Sequence, residues 1–456
     1  MTKALDREYR SIIESYDGDI AGRRLARRCI DCCSAIYHDK VPDTLYMPKL
    51  FDATTVRSLR EAAETTHRIL CKAVRQYVAD PEFRKPFGFD PELERLICLP
   101  TGYEQDIPVA RVDIFLNEET FEFTFCEFNT DGSSAMNEER ELGDALALTP
   151  SYQEFARRHR VAPFALFDSL VMQLEDVYAT FVNRVDDPHF AIIDFLDVTT
   201  PDEIEIFRRR FIHAGYECRI IDVRDLVYED GVLRDKDGWR VDAIYRRAVT
   251  SDCMRHRHEI DALVHAVEDL AVCLMGGFKT QVAHAKNIFE VLRLPMSQAF
   301  LTPEEQRFVE EHIPYTMRLD DVADLDKIVA EKDKWLIKPS NSYGADSISA
   351  GCMLSEDEWR AALESRLGMG YVLQRFAKLY QTENLCQARG SDPIDLEWRS
   401  YNNLTGLYLY NGVFSGCYSR AGLQPLIADA YQGKTVLSLA VDPDEVAPML
   451  RVEGRV

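Results

Sequence analysis

The chain has 456 residues, more than one hydrophobic core usually supports, so we expect two or three packed units. Hydrophobic residues make up 46% and charged residues 29%, which excludes a disordered or fibrous protein. The net charge of -23 disfavours nonspecific binding to nucleic acid or to an anionic membrane. It is explained by solubility alone as well as by attraction of a cationic substrate.

The 12 cysteines are scattered, and the first residues lack the order of a signal peptide. We therefore expect reduced thiols in a cytoplasmic protein without a membrane span. Cys29, Cys32 and Cys33 form a CxxCC cluster with two interpretations, a metal site or the buried face of a helix. No second Cys/His pair at zinc spacing follows the cluster, which favours the helix face.

Residues 1–100 have a mainly helical pattern, with apolar positions three and four apart through Leu5 to Ile36 and Leu59 to Val78. From Pro108 the period changes to two in VARVDIFLN and FEFTFCEFN. These two runs predict a β-hairpin, with residues 118–120 as its loop.

Residues 151–183 are again predicted to be helical. The runs FAIIDFLDV and YECRIIDV then flank a helix start at Thr200-Pro201-Asp202-Glu203, where threonine and glutamate have the spacing of a capping box. The order of strand, helix and strand favours a parallel sheet, to which VDAIY adds a further apolar run.

Two more capping boxes are predicted, at Thr302 and at Ser355. They bracket the strand KWLIKP and the loop SNSYGADSISAG. Near the C-terminus, Asn411-Gly412 between alternating apolar residues predicts another β-hairpin. The whole pattern indicates an α/β protein with a mixed sheet.

The first hairpin carries the strongest chemical signal. Arg111 and Asp113 share one face of their strand, and Glu127 and Asn129 share one face of the next. A loop with an odd number of residues would put both pairs on the same face, with Arg111 opposite Glu127. Two carboxylates and an amide oxygen beside an arginine suit Mg²⁺ shared with substrate phosphates. The alternative is a surface hairpin with an ordinary cross-strand ion pair, and the turn-forming run around Ser134, whose amides can cradle an anion, favours binding.

Two lysines and a glutamine further along the chain are candidate nucleotide-binding residues. Lys338 ends an apolar strand before a glycine-containing loop, where a lysine can hold nucleotide phosphates under a lid, although no Walker motif occurs. Lys286 begins an amphipathic stretch, and Gln374 ends the strand YVLQ, where a hinge often meets an adenine edge. Solvated lysines and a plain strand end are the alternatives.

Together these segments resemble the synthetase domain of glutathionylspermidine synthases and the related trypanothione synthetases, the circularly permuted branch of the ATP-grasp superfamily. The matching residues follow the family's order over roughly residues 105 to 430. They are Arg111-Val112-Asp113, Glu127-Phe128-Asn129, Tyr245-Arg246-Arg247, Lys286-Asn287, Ile337-Lys338-Pro339 and Leu373-Gln374.

The resemblance implies a circularly permuted ATP-grasp fold of mixed α/β class with a Rossmann-like pre-ATP-grasp domain. The implied units are a helical N-terminal segment at 1–100, a metal-binding hairpin of the ATP-grasp core at 101–150, the Rossmann-like domain at 151–270 and a nucleotide-binding region at 271–456.

The implied activity is an ATP- and Mg²⁺-dependent ligase that phosphorylates a carboxylate and couples the acyl phosphate to an amine. The implied site residues divide by ligand: Asp113, Glu127 and Asn129 for Mg²⁺, Arg111 for the transferring phosphoryl group, Lys286 and Lys338 for ATP phosphates, and Gln374 for adenine. Tyr343 and Gly344 would lie in a lid from Asn341 to Gly351. Ser134, Arg246 and Arg247 are candidate substrate-binding residues, with ion pairs to nearby acidic residues as the alternative for the two arginines.

The chain departs from the family in having no room for an amidase domain, in a lid poor in glycine, and in a loose match after Tyr401 that ends at Ser419-Arg420. The expected partners are a small acid or peptide and an amine, with no nucleic acid or membrane. Arg399 and Arg420 have no assigned role. A noncatalytic nucleotide-binding relative and a phosphotransferase are the alternative functions, and the intact set of carboxylates and lysines favours the ligase.

Overall fold

The computed structural model describes residues 2–36, 40–341, 347–387, 392–428 and 431–444. Within these ranges, no helix combines the length and the apolar character that crossing a membrane requires.

Helices cover much of the N-terminal and central regions. The α-helices of the described ranges, in chain order, are α1 (Thr2–Ser15), α2 (Ile20–Asp31), α3 (Ala53–Ala79), α4 (Pro81–Arg84), α5 (Pro91–Ile97), α6 (Met136–Ala147), α7 (Pro150–Arg158), α8 (Leu166–Ala179), α9 (Pro201–His213), α10 (Thr250–Arg255), α11 (Asp261–Glu268), α12 (Gln281–His284), α13 (Ile288–Val291), α14 (Pro295–Gln298), α15 (Pro303–His312), α16 (Leu325–Ala330) and α17 (Glu356–Glu364).

Strands are short except near the C-terminus. In the same ranges they are β1 (Lys49–Asp52), β2 (Val109–Leu116), β3 (Phe123–Asn129), β4 (Val161–Pro163), β5 (Phe190–Asp194), β6 (Cys218–Asp222), β7 (Leu226–Glu229), β8 (Val232–Asp235), β9 (Ala243–Arg246), β10 (Cys273–Met275), β11 (Thr316–Arg318), β12 (Trp335–Pro339), β13 (Ser349–Ala350), β14 (Tyr371–Arg375), β15 (Gln381–Leu385), β16 (Trp398–Tyr410), β17 (Val413–Gly422), β18 (Lys434–Val436) and β19 (Ser438–Val441).

Two of the three predicted capping boxes form. Thr302 begins α15 and Ser355 begins α17, each with its side chain on the backbone N–H three residues later and a glutamate reaching back. The third prediction is wrong in detail. Helix α9 does start after Thr200, but Thr200 makes no capping hydrogen bond, and the Glu203 side chain pairs with Arg247 at 3.0 Å instead of reaching back to Thr200.

The middle of the chain forms a parallel sheet in the order β10-β9-β5-β6. Strands β5 and β6 run parallel on either side of α9, which confirms the predicted βαβ unit. In the predicted helical region 1–100, the pattern is interrupted by β1, which pairs with β19 in a small sheet that also contains β4.

The largest sheet carries the hairpin that the sequence singled out. Its order is β18-β17-β16-β2-β3, all neighbours antiparallel, and β15 also pairs with β16. Strands β16 and β17 form the predicted hairpin around Asn411 and Gly412, whose φ angles of 50° and 80° give a turn that matches the twist of the strands. A separate antiparallel sheet, β11-β14-β12-β13, holds the second half of the site.

The register of β2 and β3 corrects one prediction. Residues 117–122 connect the strands instead of residues 118–120, and Arg111 lies opposite Asn129 while Asp113 lies opposite Glu127. An even-numbered connection would turn the two pairs to opposite faces. The register shifts by one residue at Cys126, which restores the common face.

One hydrophobic core joins the large sheet to the parallel sheet. It contains Val112 and Phe128 from the hairpin together with Ile193 and Ile244 from β5 and β9. The polar face of the hairpin is therefore held on a rigid support, opposite its packed face.

Candidate active site

Arg111, Asp113, Glu127 and Asn129 gather on one face of β2 and β3. Arg111 donates two hydrogen bonds to Asp113, from Nε to Oδ1 at 2.8 Å and from Nη2 to Oδ2 at 3.0 Å. Asn129 Nδ2 lies 3.3 Å from Asp113 Oδ2 and 3.2 Å from Glu127 Oε1. The two carboxylates and the amide are thus close enough to contact one cation.

Gly406 makes this arrangement possible from the neighbouring strand. It lies opposite Asp113 in the pairing of β16 with β2. A Cβ at this position would lie 2.8 Å from both Arg111 Cδ and Asp113 Oδ1. Glycine is needed here because the Arg111 side chain passes directly over the backbone of β16.

Arg111 is fixed on its other side as well. Its Nη1 donates to the Ser134 carbonyl at 2.9 Å, and the Tyr408 hydroxyl donates to the same carbonyl at 2.6 Å. The ring of Tyr418 lies 5.5 Å from the guanidinium carbon. The guanidinium is therefore held in one orientation before any ligand binds.

Two buried lysines converge on Glu127 and its neighbour. Lys286 Nζ lies 3.3 Å from Glu127 Oε2, and Lys338 Nζ donates to the Cys126 carbonyl at 3.1 Å. Burial on its own raises the pKa of Glu127, but Lys286, Lys338 and Arg111 outweigh it and lower the pKa to about 2. Glu127 is therefore ionised at neutral pH.

A cavity of about 560 Å³ opens over these groups. Its wall includes Arg111, Asp113, Glu127, Asn129, Ser134 and Lys338. The sheet of β12 and β14 adds Leu336, Gln374 and nearby Phe376, and other segments add Ser34, Glu138, Glu203 and Arg420. Within the described ranges Lys286 is not part of the wall, and it reaches the site through its contact with Glu127.

Of the predicted nucleotide-binding residues in the adenine pocket and the lid, only some lie within the described part of the chain. Gln374 is buried and lines the cavity, and its Nε2 donates to Thr316 Oγ1 at 2.9 Å. Tyr343 and Gly344 lie outside the described residues, as do the other lid residues between 342 and 346. The first lid residue, Asn341, accepts a hydrogen bond from Gln281 Nε2 at 2.7 Å.

The two candidate substrate arginines are engaged in buried ion pairs, the alternative that the sequence left open. Arg246 Nη2 lies 2.6 Å from Asp131 Oδ1, and the same guanidinium donates to the carbonyls of Gly276 and Ala248. Arg247 pairs with Glu203 and donates to the Ser133 carbonyl. Both groups brace the floor of the site, and neither borders the large cavity in the described part of the chain.

The residues to which the sequence assigned no role differ in their position relative to the cavity. Arg420 lines the cavity, whereas Arg399 is part-exposed outside the cavity wall of the described chain and pairs with Asp395 and Glu397. In the CxxCC cluster, Cys29 is half-buried on α2 but Cys32 is exposed just after it, so only part of the cluster lies on a buried helix face. In the described ranges, no group of three or more His, Cys, Asp and Glu side chains is arranged to hold a metal.

The hairpin cluster nevertheless fits Mg²⁺ by its chemistry. It offers two carboxylates and one amide, and Mg²⁺ typically takes one or two protein carboxylates and completes its shell with water and substrate phosphates. Rotation of the Asn129 amide replaces its nitrogen by oxygen at the point nearest both carboxylates. The Asn129 amide would take this rotated orientation to hold a cation through its oxygen.

Sequence reasoning missed Gly406, Tyr408, Tyr418 and His284, all of which border or shape this site. The first three lie on β16 and β17, and the pairing of β16 with β2 is not visible in any local pattern. His284 had a signal, since it stands two residues before Lys286.

The chain matches no model of a known protein family and no curated protein. Among solved structures, it is similar to a glutathione synthetase-like effector from Globodera pallida in its apo form, with a TM-score of 0.57 and 11% identity. The alignment covers 92% of this chain and 96% of that chain. This likeness shows the fold: a mixed α/β protein folded like a glutathione synthetase-like protein.

Two weaker similarities have TM-scores below 0.5. A putative gamma-glutamylcysteine synthetase from Methylobacillus flagellatus KT aligns over 83% of this chain and 88% of its own, with a TM-score of 0.41 and 11% identity. The ATP-grasp ligase PsnB, complexed with minimal precursor, Mg and ADP, aligns over 57% of this chain and 90% of its own, with a TM-score of 0.23 and 12% identity. The circular permutation implied by the family resemblance stays a prediction.

Proposed function

We propose that this protein is an ATP- and Mg²⁺-dependent ligase that activates a carboxylate as an acyl phosphate and couples it to an amine. The observation that carries the proposal is the convergence of two carboxylates, one amide and three fixed cations, all of which line a single cavity except Lys286, which contacts Glu127. These groups are Asp113, Glu127, Asn129, Arg111, Lys286 and Lys338. Phosphoryl transfer needs metal ligands and fixed positive charge in this combination.

The geometry of the site supports a role for each group. Bound Mg²⁺ neutralises phosphate charge, and ATP supplies the phosphoryl group. Glu127 needs no deprotonation to bind a cation, because its pKa is already about 2. Lys338 places an ammonium group in the cavity wall for the phosphates, and Arg111 presents an oriented guanidinium to the oxyanion of the transferring group.

The proposal includes the finer assignments drawn from the sequence. The reaction is of the glutathionylspermidine synthase type, on a circularly permuted ATP-grasp fold, with a small acid or peptide and an amine as substrates. Residues 151–270 form the pre-ATP-grasp domain and residues 271–456 the nucleotide-binding region. Gln374 serves the adenine pocket, since its side chain is buried in the cavity wall beside β11.

The test measures ADP release by the purified protein with ATP and Mg²⁺ against a panel of acids and amines, followed by mass spectrometry of the products. Asp113→Ala and Glu127→Ala remove one proposed metal ligand each. Asp235→Ala is the matched control, because Asp235 is also buried and paired with an arginine, at 2.7 Å from Arg219, but lies outside the cavity wall in the described chain.

We expect ADP release that requires both an acid and an amine, produces an amide, and is lost in the Asp113 and Glu127 variants alone. Phosphorylated acid as the final product would identify a phosphotransferase instead. Nucleotide binding without turnover on the whole panel would contradict the ligase proposal and indicate a noncatalytic relative.

A further inference from the structure

The cavity continues past Arg111 to a carboxylate that the proposed mechanism does not use. Glu138, in the first turn of α6, is half-buried and belongs to the cavity wall. The Tyr418 hydroxyl donates to its Oε2 at 2.5 Å, and the Thr435 hydroxyl donates to the same oxygen at 2.7 Å. Two hydroxyl donors on one oxygen hold this carboxylate in a fixed orientation.

The pairing of the strands gives its position relative to the cation site. Gly406 on β16 lies opposite Asp113 on β2 and opposite Tyr418 on β17. Tyr418 is therefore two strands away from Asp113, roughly 10 Å across the sheet. The Arg111 side chain crosses the backbone at Gly406, and its guanidinium carbon lies 5.5 Å from the Tyr418 ring. The cation site, Arg111, Tyr418 and Glu138 thus follow one another along the cavity.

Apolar side chains from two segments complete this end of the cavity. Ile36 lines it with 45% of its surface exposed, and it lies on the segment whose Ser34 carbonyl accepts a hydrogen bond from Asn137 Nδ2 at 2.9 Å. Asn137 directly precedes Glu138 on α6. Ile427 lines the cavity from the segment that follows β17. These side chains suit the aliphatic part of a ligand that extends from the cation site to Glu138.

The charges of the wall change sign along this path. Arg111 and Arg420 both line the cavity, and both act electrostatically on Asp113 at the cation site. They favour the carboxylate of a ligand there, whereas Glu138 favours a positively charged group at the other end. A substrate that satisfies both ends carries a carboxylate and, several bonds away, an ammonium group.

We infer that Glu138 binds the ammonium group of an amino acid or peptide whose carboxylate the protein activates. This inference rests on the proposed function, since it assumes that the acid is activated beside Arg111 and the cation. It makes Glu138 a specificity-determining residue, which selects among acids and takes no part in phosphoryl transfer.

Caproate and ε-aminocaproate test the inference, because they differ only in the ammonium group. Each is given with ATP, Mg²⁺ and hydroxylamine, a small amine that converts an acyl phosphate into a hydroxamate, and kcat/KM is measured by ADP release. We expect the wild type to prefer ε-aminocaproate by about 10- to 100-fold, as for a hydrogen bond between charged groups. In Glu138→Gln, whose amide oxygen can still accept both hydroxyl hydrogen bonds, we expect this preference to disappear.

Glu305→Gln is the control, because one oxygen of Glu305 also accepts from two donors, Lys72 Nζ and the Thr302 backbone N–H, outside the cavity wall of the described chain. This variant is expected to keep the wild-type preference. Equal kcat/KM for the two acids in the wild type, or an unchanged preference in Glu138→Gln, would overturn the inference while leaving the ligase intact.

If Glu138→Gln does not fold, Tyr418→Phe takes its place, since it removes one of the two donors that orient the carboxylate. A smaller preference for ε-aminocaproate in Tyr418→Phe would support the inference, and an undiminished one would refute it. Wild-type protein that forms no hydroxamate from any acid would instead refute the proposed function itself.

Discussion

Glu127 is expected to stabilise the protein in the absence of any ligand, because it lies between two buried lysines. Its pKa of about 2 in the folded protein compares with about 4.3 in an unfolded chain. This difference corresponds to about 3 kcal/mol in the free energy of unfolding at neutral pH. Since the folded pKa is lowered, the contribution is fully present above the unfolded pKa and is lost as the pH falls through the folded pKa.

The substitution Glu127→Gln tests this value, because glutamine has the shape of a protonated glutamate and cannot ionise. We expect the free energy of unfolding in urea at pH 7, without nucleotide, to fall by about 3 kcal/mol. The difference between wild type and variant is expected to narrow steadily as the pH is lowered from 5 towards 3. Glu122→Gln is the matched control, since Glu122 is exposed next to the same hairpin and its loss is expected to cost less than about 0.5 kcal/mol.

A stability difference that does not change with pH would refute the reasoning, because only an ionisable group produces such a dependence. A variant as stable as wild type at pH 7 would also refute it, and would mean that the desolvation of Glu127 offsets its attraction to Lys286 and Lys338.

Three other substitutions test the surroundings of the site. Tyr408→Phe removes one of the two hydrogen bonds on the Ser134 carbonyl, so we expect a fall of about 3- to 10-fold in kcat for ADP release, with KM little changed, measured by steady-state kinetics. Arg247→Met leaves Glu203 buried without its partner, and we expect the free energy of unfolding to fall by about 3 to 5 kcal/mol; normal stability with weakened substrate binding would contradict the bracing role. Gly412→Ala places a Cβ 3.0 Å from the His67 ring at a φ of 80°, and denaturant unfolding is expected to show a loss of about 1 to 2 kcal/mol.

Local patterns in the sequence predicted the elements well where neighbouring residues alone decide the structure. The capping boxes at Thr302 and Ser355 formed because their partners are three residues away. The same pattern failed at Thr200, where the side chain of Glu203 pairs with Arg247, a residue distant in sequence. The local pattern could not reveal this ion pair, because the partner of Glu203 is distant in sequence.

The site was predictable in its residue types but not in its register. Side chains alternate between the two faces of a strand, which predicted that Arg111 shares a face with Asp113 and that Glu127 shares a face with Asn129. The pairing across the hairpin depends instead on the register shift at Cys126. No local pattern in the sequence shows that shift. The need for glycine at position 406 likewise appears only when β16 lies beside β2.

The hydrogen bond from Tyr408 to Ser134 joins residues that are 274 positions apart. During synthesis the hairpin of β2 and β3 therefore leaves the ribosome long before the strand that completes it. At typical translation speeds this interval lasts roughly 14 to 55 s, during which the edge of β2 has no partner from its own sheet. An exposed strand edge attracts other chains. We therefore expect slow codons or chaperone depletion in this interval to increase aggregation, and a chain cut before β16 to lack the proposed cation site altogether.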